Sequence, residues 1–405
     1  VTGGAQDARA AAEAAARNAY SRLLAYLAAQ TRNIAAAEDA LAEAFAAALA
    51  AWPASGVPDR PEAWLLAAAR RKSLDAYRHA KVRAAAEPTL ALMAQRGETD
   101  TEFPDERLKL LFVCAHPAID AAARTPLMLQ TVLGLDAARI ASAFLVSPAA
   151  MGQRLVRAKA KIKDAGIAFA VPARDELAQR LDAVLAAIYA AFASGWDDLA
   201  EDAREALDGE AIWLGQTLQA LLPDEPEILG LLALMLHCQA RRGARRDASG
   251  AFVPLDRQDT ARWDAPMVAR AEALLRQAAL LARPGRYQLE AAIQSVHAGR
   301  LVTGKTDWRA LAVLYAALAA QAPSMAINVG HAAVAARVDG AQAGLDLLDR
   351  LPADAARDYQ PYWAVRAHLL REAGETQAAN AAFARAAGLA DDPALRAYLR
   401  AQLEA

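Results

Sequence analysis

An all-α fold is predicted for this chain, and three observations predict it. Phe, Tyr and Trp make up only 6% of the 405 residues while alanine recurs throughout, a composition suited to closely packed helices rather than to a sandwich or barrel. Apolar residues recur every three or four positions, and the breaks between those runs carry capping residues such as Asp136 and Ser147. With 56% of positions apolar, the chain is long enough for a substantial core and for two to four domains.

The same composition excludes several classes. The 21 glycines and 18 prolines rule out collagen-like and low-complexity chains. Cys114 and Cys238 cannot build a disulfide framework, and no CxxC pair begins a zinc site, so a reducing interior is expected. Asp7, Arg9, Glu13 and Arg17 among the first alanines do not form a secretion signal, and no run of roughly twenty apolar residues spans a bilayer. A cytoplasmic protein with no membrane partner is the expectation.

Three helices are predicted over residues 8–80. The first runs from Ala8 to Gln30. In the second, near Ile34 to Ala50, the residues Ile34, Leu41, Phe45 and Leu49 recur on one side. Trp52, Pro53, Ser55, Gly56 and Pro58 break it. The third begins at Pro61 with Glu62 at its positive end and reaches Arg83. Seven Lys or Arg and only two acids lie between Arg60 and Arg83, and Trp64, Leu65, Ala68 and Leu74 form its inward stripe. An acidic linker with one short helix around Thr89 to Gln95 is expected next, since Glu87, Glu98, Asp100, Glu102, Asp105 and Glu106 face Arg96 alone.

Beyond the linker, DERLKLLFVC and AARTPLMLQTVLG are two helical patterns separated by His116-Pro117. Gly134 closes the second, Asp136 caps the short helix ARIASAF, and Ser147 caps a long helix reaching Lys163. Residues 172–405 form a larger helical region, with interruptions expected around Gly209, Pro223 to Pro226, Arg241 to Pro254, Pro284 to Gly285 and Gly299 to Gly304. DGAQAGLDLLDRL and AGETQAANAAFARA resemble each other, with turn glycines Gly340 and Gly374 at the 34-residue period of a tetratricopeptide (TPR) unit; a weaker copy begins at Asp307. Tyr359, Tyr362 and Trp363 either pack that repeat or meet a partner.

Charge is divided unevenly. Residues 1–170 hold 21 Lys or Arg against 17 acids, and the remainder holds 24 against 30, so a nucleic-acid surface belongs to the front and a protein partner or regulator to the back. In residues 134–163, Ile140, Phe144 and Val146 can close a small core with Met151, Leu155, Ala158 and Ile162. Gln153, Arg154, Arg157 and Lys161 then face outward, broadened by Lys159 and Lys163, as a helix suited to a DNA major groove. Arg154 and Arg157 are the candidates for base contact, the three lysines for phosphate. A merely solvated amphipathic helix is the plainer reading. The earlier basic helix offers Arg70, Arg71, Lys72, Tyr77, Arg78 and Lys81 as a second nucleic-acid surface, with Trp64 in the core.

On these residues the chain resembles an extracytoplasmic-function (ECF) sigma factor of the sigma-70 family, in the subgroup with a long helical C-terminal extension. EDALAEAFAAAL (38–49) and RPEAWLLAAARRKSLDAYRH (60–79) are similar to sigma region 2, and DERLKLLFVCAHPAI with LMLQTVLGLDAARIASAFLVSPAAMGQRLVRAKAKIKDAGI to region 4. ALLPDEPEILGLLALMLHCQARR, RWDAPMVARAEALL, YQLEAAIQSVH and TDWRALAVLY are similar to the extension, so the likeness covers almost the whole chain.

The resemblance implies two small helical sigma modules, region 2 at residues 1–83 and a region 4 helix-turn-helix at 105–170. They are joined by the linker at 84–104 and followed by a TPR-like domain at 171–405. It implies that region 2 binds the clamp helices of the RNA polymerase core and captures the melted -10 element through the first basic helix. Region 4 would bind the polymerase flap and read the duplex -35 element through the second. Asp39, Glu43 and Phe45 match the polymerase-facing motif, although Phe45 read by itself is a core residue. Ala42 stands where the family commonly has Gln, Lys72 where Asn is common, and Cys114-Ala115-His116-Pro117 where the pattern is Cys-Cys-His-Pro. The linker would thread the polymerase's RNA channel. No cofactor, metal or covalent chemistry is implied, and a fragment ending near Pro172 is expected to fold.

The rival classes are an enzyme, for which no HExxH, P-loop or dinucleotide fingerprint is present, a TPR-like interaction adapter, and an operator-binding regulator. His297 is read as a packed or capping residue.

Overall fold

A computed structural model describes residues 2–83, 105–144, 146–193 and 201–403. The acidic linker and its expected short helix lie outside them. Among the described residues the protein is all-α, with three short 3-10 turns and one isolated β-bridge between Arg246 and Phe252. The chain divides into two compact units, residues 1–195 with 201–214, and 196–200 with 215–405.

The first unit opens with α1 (Thr2–Thr31), α2 (Ile34–Ser55) and α3 (Pro61–Arg83), which pack on one another. Asn33 starts α2 by accepting a hydrogen bond from the Ala36 amide at 3.2 Å. Leu23, Leu24, Leu27, Ile34, Leu41 and Leu65 fill the centre, and the indole of Trp52 meets that of Trp64 edge-on at 5.5 Å. Trp64 therefore packs, as its place on the inward stripe predicts. Contrary to expectation, α2 continues through Pro53 and ends at Ser55.

Four further helices follow: α4 (Arg107–Cys114), α5 (Ala121–Thr131), α6 (Ala137–Ala143) and α7 (Pro148–Asp164). Both expected caps are present, the Asp136 carboxylate accepting from the Arg139 amide at 2.8 Å and the Ser147 hydroxyl from the Ala150 amide at 3.2 Å. Pro148 occupies the first turn of α7, where its missing N–H costs no intrahelical bond. Met151, Leu155, Ala158 and Ile162 are buried with Ile140, which fixes the rotation of α7 and so decides which side chains face outward. Phe144 and Val146 are half-buried.

The first unit extends further than the sequence pattern suggests. Helix α8 (Arg174–Ala193) packs on α5 and α4 through Leu181, Val184, Leu185 and Ile188. Arg107 pairs with Asp105 and with Glu210 of α9 (Glu201–Leu221), and its guanidinium lies 4.3 Å from the ring centre of Trp213. The boundary expected at residue 171 thus differs from the observed division. Gly209 does not interrupt α9, because one glycine costs only about 1 kcal/mol of helix propensity and the flanking turns continue.

In the second unit, α10 (Pro226–Ala240) packs on α11 (Ala265–Leu280) and α12 (Arg286–Ala298). The Glu227 carboxylate accepts from the Tyr287 and Gln288 amides at 2.9 and 3.2 Å, closing the amino end of α12. After the single turn α13 (Arg300–Thr303) come α14 (Trp308–Gln321), α15 (Met325–Asp339), α16 (Ala341–Asp349), α17 (Ala353–Ala356), α18 (Gln360–Glu372), α19 (Thr376–Leu389) and α20 (Pro393–Ala401). Sequential neighbours pack pairwise, except that α16 meets α18 across the one-turn α17. Gly340 and Gly374 take φ of +94° and +85° at the turns before α16 and α19, a region that favours glycine. Tyr362 is buried and Tyr359 and Trp363 pack beside it in the α15, α16 and α18 core.

Candidate nucleic-acid interface

The outward face of α7 is set by the stripe it buries. Gln153, Arg157, Lys161 and Lys163 are exposed, as the spacing predicts. Arg154 is half-buried instead, and its Nη1 donates to the Ala122 carbonyl at 3.3 Å, at the start of α5. Val156 is 66% exposed between Gln153 and Arg157. Sequence reasoning passed over it, though an offset of three from Gln153 was the available signal. An exposed apolar group beside cations can meet a thymine methyl in a major groove.

Lys159 is held elsewhere. Its Nζ lies 2.6 Å from both carboxylate oxygens of Glu38 on α2, and its side chain is only 10% exposed. Glu38 is 22% exposed and adds to the burial that pushes the Tyr20 hydroxyl up to about 12. The pair sits near Cys114, whose thiol is driven to about 12 by burial and whose Sγ lies 3.5 Å from the Thr131 hydroxyl. That thiol is protonated at neutral pH and inert.

On α2, Asp39 and Glu43 are exposed on one side, with Ala42 between them. Phe45 is half-buried, its ring 6.3 Å from that of Tyr20, which agrees with its reading as a packing residue. On α3, Lys72 Nζ reaches Glu43 Oε2 at 2.9 Å and Arg71 is exposed. Arg70 is turned inward, bonded to the Tyr26 hydroxyl with its guanidinium 5.0 Å from the ring centre. The side chains of residues 75–83, with Tyr77, Arg78 and Lys81, lie outside the described ones.

The structure thus brings Gln153, Val156, Arg157, Lys161 and Lys163 together on α7, and Asp39, Glu43, Arg71 and Lys72 on α2 and α3. His116 accepts from the Ala118 amide at 3.1 Å through Nδ1, at the helix boundary foreseen for it. Among the described residues no cluster of His, Cys, Asp and Glu could hold a metal ion, and no helix is long and apolar enough to cross a membrane.

Residues 16–83 match sigma-70 region 2, and residues 180–279 match a family of unknown function, DUF6596. The region 2 match, carried by the amino-terminal helices α1 to α3, supports a transcription-related role for this chain and implies association with RNA polymerase and promoter DNA. An uncharacterized protein of Rhizobium meliloti (strain 1021) is 38% identical over 384 residues, covering 92% of this chain and 90% of that protein, and this chain belongs to its family. No solved structure matches the chain.

Proposed function

We propose that this protein is an ECF-type sigma factor that joins core RNA polymerase and directs initiation at promoters with -10 and -35 elements. The sigma-70 region 2 match supports the first half of that reading. The carrying observation for the second is α7 itself. A Ser147-capped helix buries one stripe and presents Gln153, Val156, Arg157, Lys161 and Lys163 on the opposite side, as the second helix of a helix-turn-helix does in a major groove.

In this reading Asp39 and Glu43 meet the polymerase clamp helices. Arg71 and Lys72, with Tyr77, Arg78 and Lys81 further along α3, meet the melted -10 strand, while Arg70 stays bonded to the Tyr26 hydroxyl. Arg157 and Gln153 read bases at -35, Val156 meets a thymine methyl, and Lys161 and Lys163 neutralise phosphate. Phosphoryl transfer belongs to the polymerase.

The second unit serves regulation. Its paired helices, with α14, α16 and α19 beginning at Trp308, Ala341 and Thr376, support a TPR-like stack. The acidic balance beyond residue 170 fits a protein regulator better than a second DNA surface. The test is co-elution of the purified protein with core polymerase and footprinting of the complex on promoter fragments. Protection around -35 and -10 only when polymerase is present supports the proposal, whereas protection by the protein alone indicates an operator-binding regulator.

A further inference from the structure

The connection from α10 to α11, residues 241–263, leaves the helices of the second unit and returns to them at one point, where the Asp264 amide donates to the Ala240 carbonyl at 2.9 Å. A long irregular connection with its ends together is usually a binding loop or a lid. Its first half is a short hairpin. Arg246 and Phe252 form the isolated bridge, the Asp247 carboxylate accepts from the Ser249 and Ala251 amides at 2.8 and 3.0 Å, and Gly250 turns the chain at a φ of +82°.

The hairpin reaches the last helix of the unit. Arg246 Nη2 donates to Asp392 Oδ2 at 2.7 Å, across 146 residues of sequence, and the Phe252 ring lies 5.5 Å from that of Tyr398 on α20. The second half is held by its main chain. Arg300 on α13 donates to the Leu255 and Gln258 carbonyls at 2.6 and 3.1 Å. An acid reads an arginine, a ring meets a ring and an arginine holds carbonyls, as a protein surface holds an extended peptide.

The fastening is modest. The side chains of Arg246 and Asp392 are 41% and 16% exposed, and such an ion pair with one ring pair contributes little. Within the loop, Gln258 Oε1 and Trp263 Nε1 are buried without a hydrogen-bond partner. Burial of each costs free energy that contact with water returns, so the closed position is opposed from within.

We infer that residues 245–258 are a clasp seated as an internal ligand on a peptide-docking surface of α13 and α20, and that this surface fits an extended peptide with an arginine followed six residues later by an aromatic side chain. The arginine of the partner meets Asp392, its aromatic ring meets Tyr398, and Arg300 takes its main-chain carbonyls. Clasp and partner use the same three groups, so one excludes the other. The inference gives a chemistry to the protein regulator proposed for the second unit and stands apart from the sigma reading.

The probe is a synthetic peptide copying residues 243–258, added to the full-length chain carrying Arg246→Ala and Phe252→Ala. These replacements unfasten the clasp and leave Tyr398, Arg300 and Asp392 in place, the last of which also caps α20 by accepting from the Ala394 amide at 2.9 Å. Amide hydrogen exchange in α20 should be faster in this variant than in the native chain by on the order of tenfold, with α10 and α12 unchanged. The peptide should restore the protection, and it should bind the native chain on the order of tenfold more weakly, because the clasp is already seated there. A peptide with the same two replacements should do neither. Arg246→Ala alone should shift the exchange less and in the same direction, with circular dichroism verifying the fold.

Unchanged protection of α20 in the folded double variant would overturn the clasp. Faster exchange that the native-sequence peptide does not reverse, or equal binding of the native and altered peptides, would overturn the docking surface.

Discussion

The guanidinium of Arg180 on α8 donates from Nη1 to the Phe112 carbonyl at 3.3 Å, satisfying an acceptor at the carboxyl end of α4. Arg180 is buried and also pairs with Glu176 one turn earlier on its own helix. This hydrogen bond ties residues beyond 173 to the helices before them. A fragment cut at Pro172 lacks it, along with the apolar cover that Leu181, Val184, Leu185 and Ile188 give α5.

A fragment ending at Leu222 should therefore unfold at a clearly higher temperature than one ending at Pro172, since each buried Leu, Ile or Val is worth about 1.5–3 kcal/mol. In the full chain, Arg180→Met should cost about 1–3 kcal/mol by leaving the Phe112 carbonyl without its donor. Equal unfolding midpoints for the two fragments would contradict this role of α8.

A second prediction separates two arginines that spacing alone treats alike. Arg157→Ala should lose about 1–3 kcal/mol of discrimination at one position of the -35 element. Arg154→Ala should change discrimination little, because its guanidinium is engaged by the Ala122 carbonyl. Binding of polymerase complexes to a panel of single-base variants at fixed salt distinguishes them. Lys161→Gln with Lys163→Gln should instead weaken every variant alike and reduce the salt slope by about 0.9 for each phosphate no longer neutralised.

The third concerns α2. Asp39→Ala with Glu43→Ala should weaken capture of core polymerase by on the order of tenfold while changing stability by no more than about 1 kcal/mol. Both carboxylates are exposed, and the ion pair that Glu43 makes with Lys72 is a surface one at 2.9 Å. Competition against an unmodified sigma factor is the readout, and undiminished affinity in a folded variant would remove these residues from the interface.

A fourth prediction is a pH dependence of the second unit. Burial, reinforced by Arg241, holds His237 at a pKa of about 4, and burial with Arg241 and Arg300 does the same to His297. Glu272 Oε1 stands 3.4 Å from His237 Nε2, yet desolvation of a ring only 1% exposed outweighs it. Since the unfolded chain takes up these protons near pH 6.5, their stabilising effect is present above that pH and lost as the pH falls through 4. The loss is on the order of 3 kcal/mol for each. Denaturant unfolding from pH 7 to 4 should show a falling limb that His237→Leu flattens, and an unchanged limb would contradict the assignment.

Much of this architecture was legible because its signals are local. The Asp136 and Ser147 caps, the Met151 to Ile162 stripe and the glycines at 340 and 374 each act within one or two turns. What escaped depends on distant partners. Nothing near Lys159 announces Glu38, and nothing near Arg154 announces the Ala122 carbonyl, so Lys159 looked equivalent to Lys161 and Lys163, and Arg154 to Arg157. The attachment of α8 to α4 and α5 was hidden for the same reason, since a composition boundary near Pro172 marks a turn without saying what the next helix packs on. Val156 was missed by attending to charge on a face that also carries an apolar group.

Sigma activity itself is most directly tested by run-off transcription with purified core polymerase and the full-length protein, with the RNA 5′ end mapped. Transcripts are expected from a discrete start downstream of paired -10 and -35 elements, and they should be lost when Asp39 and Glu43 are both replaced by Ala. Absence of any start dependent on this protein, in a preparation shown to be folded and tested on fragments of its own genome, would contradict the sigma-factor assignment.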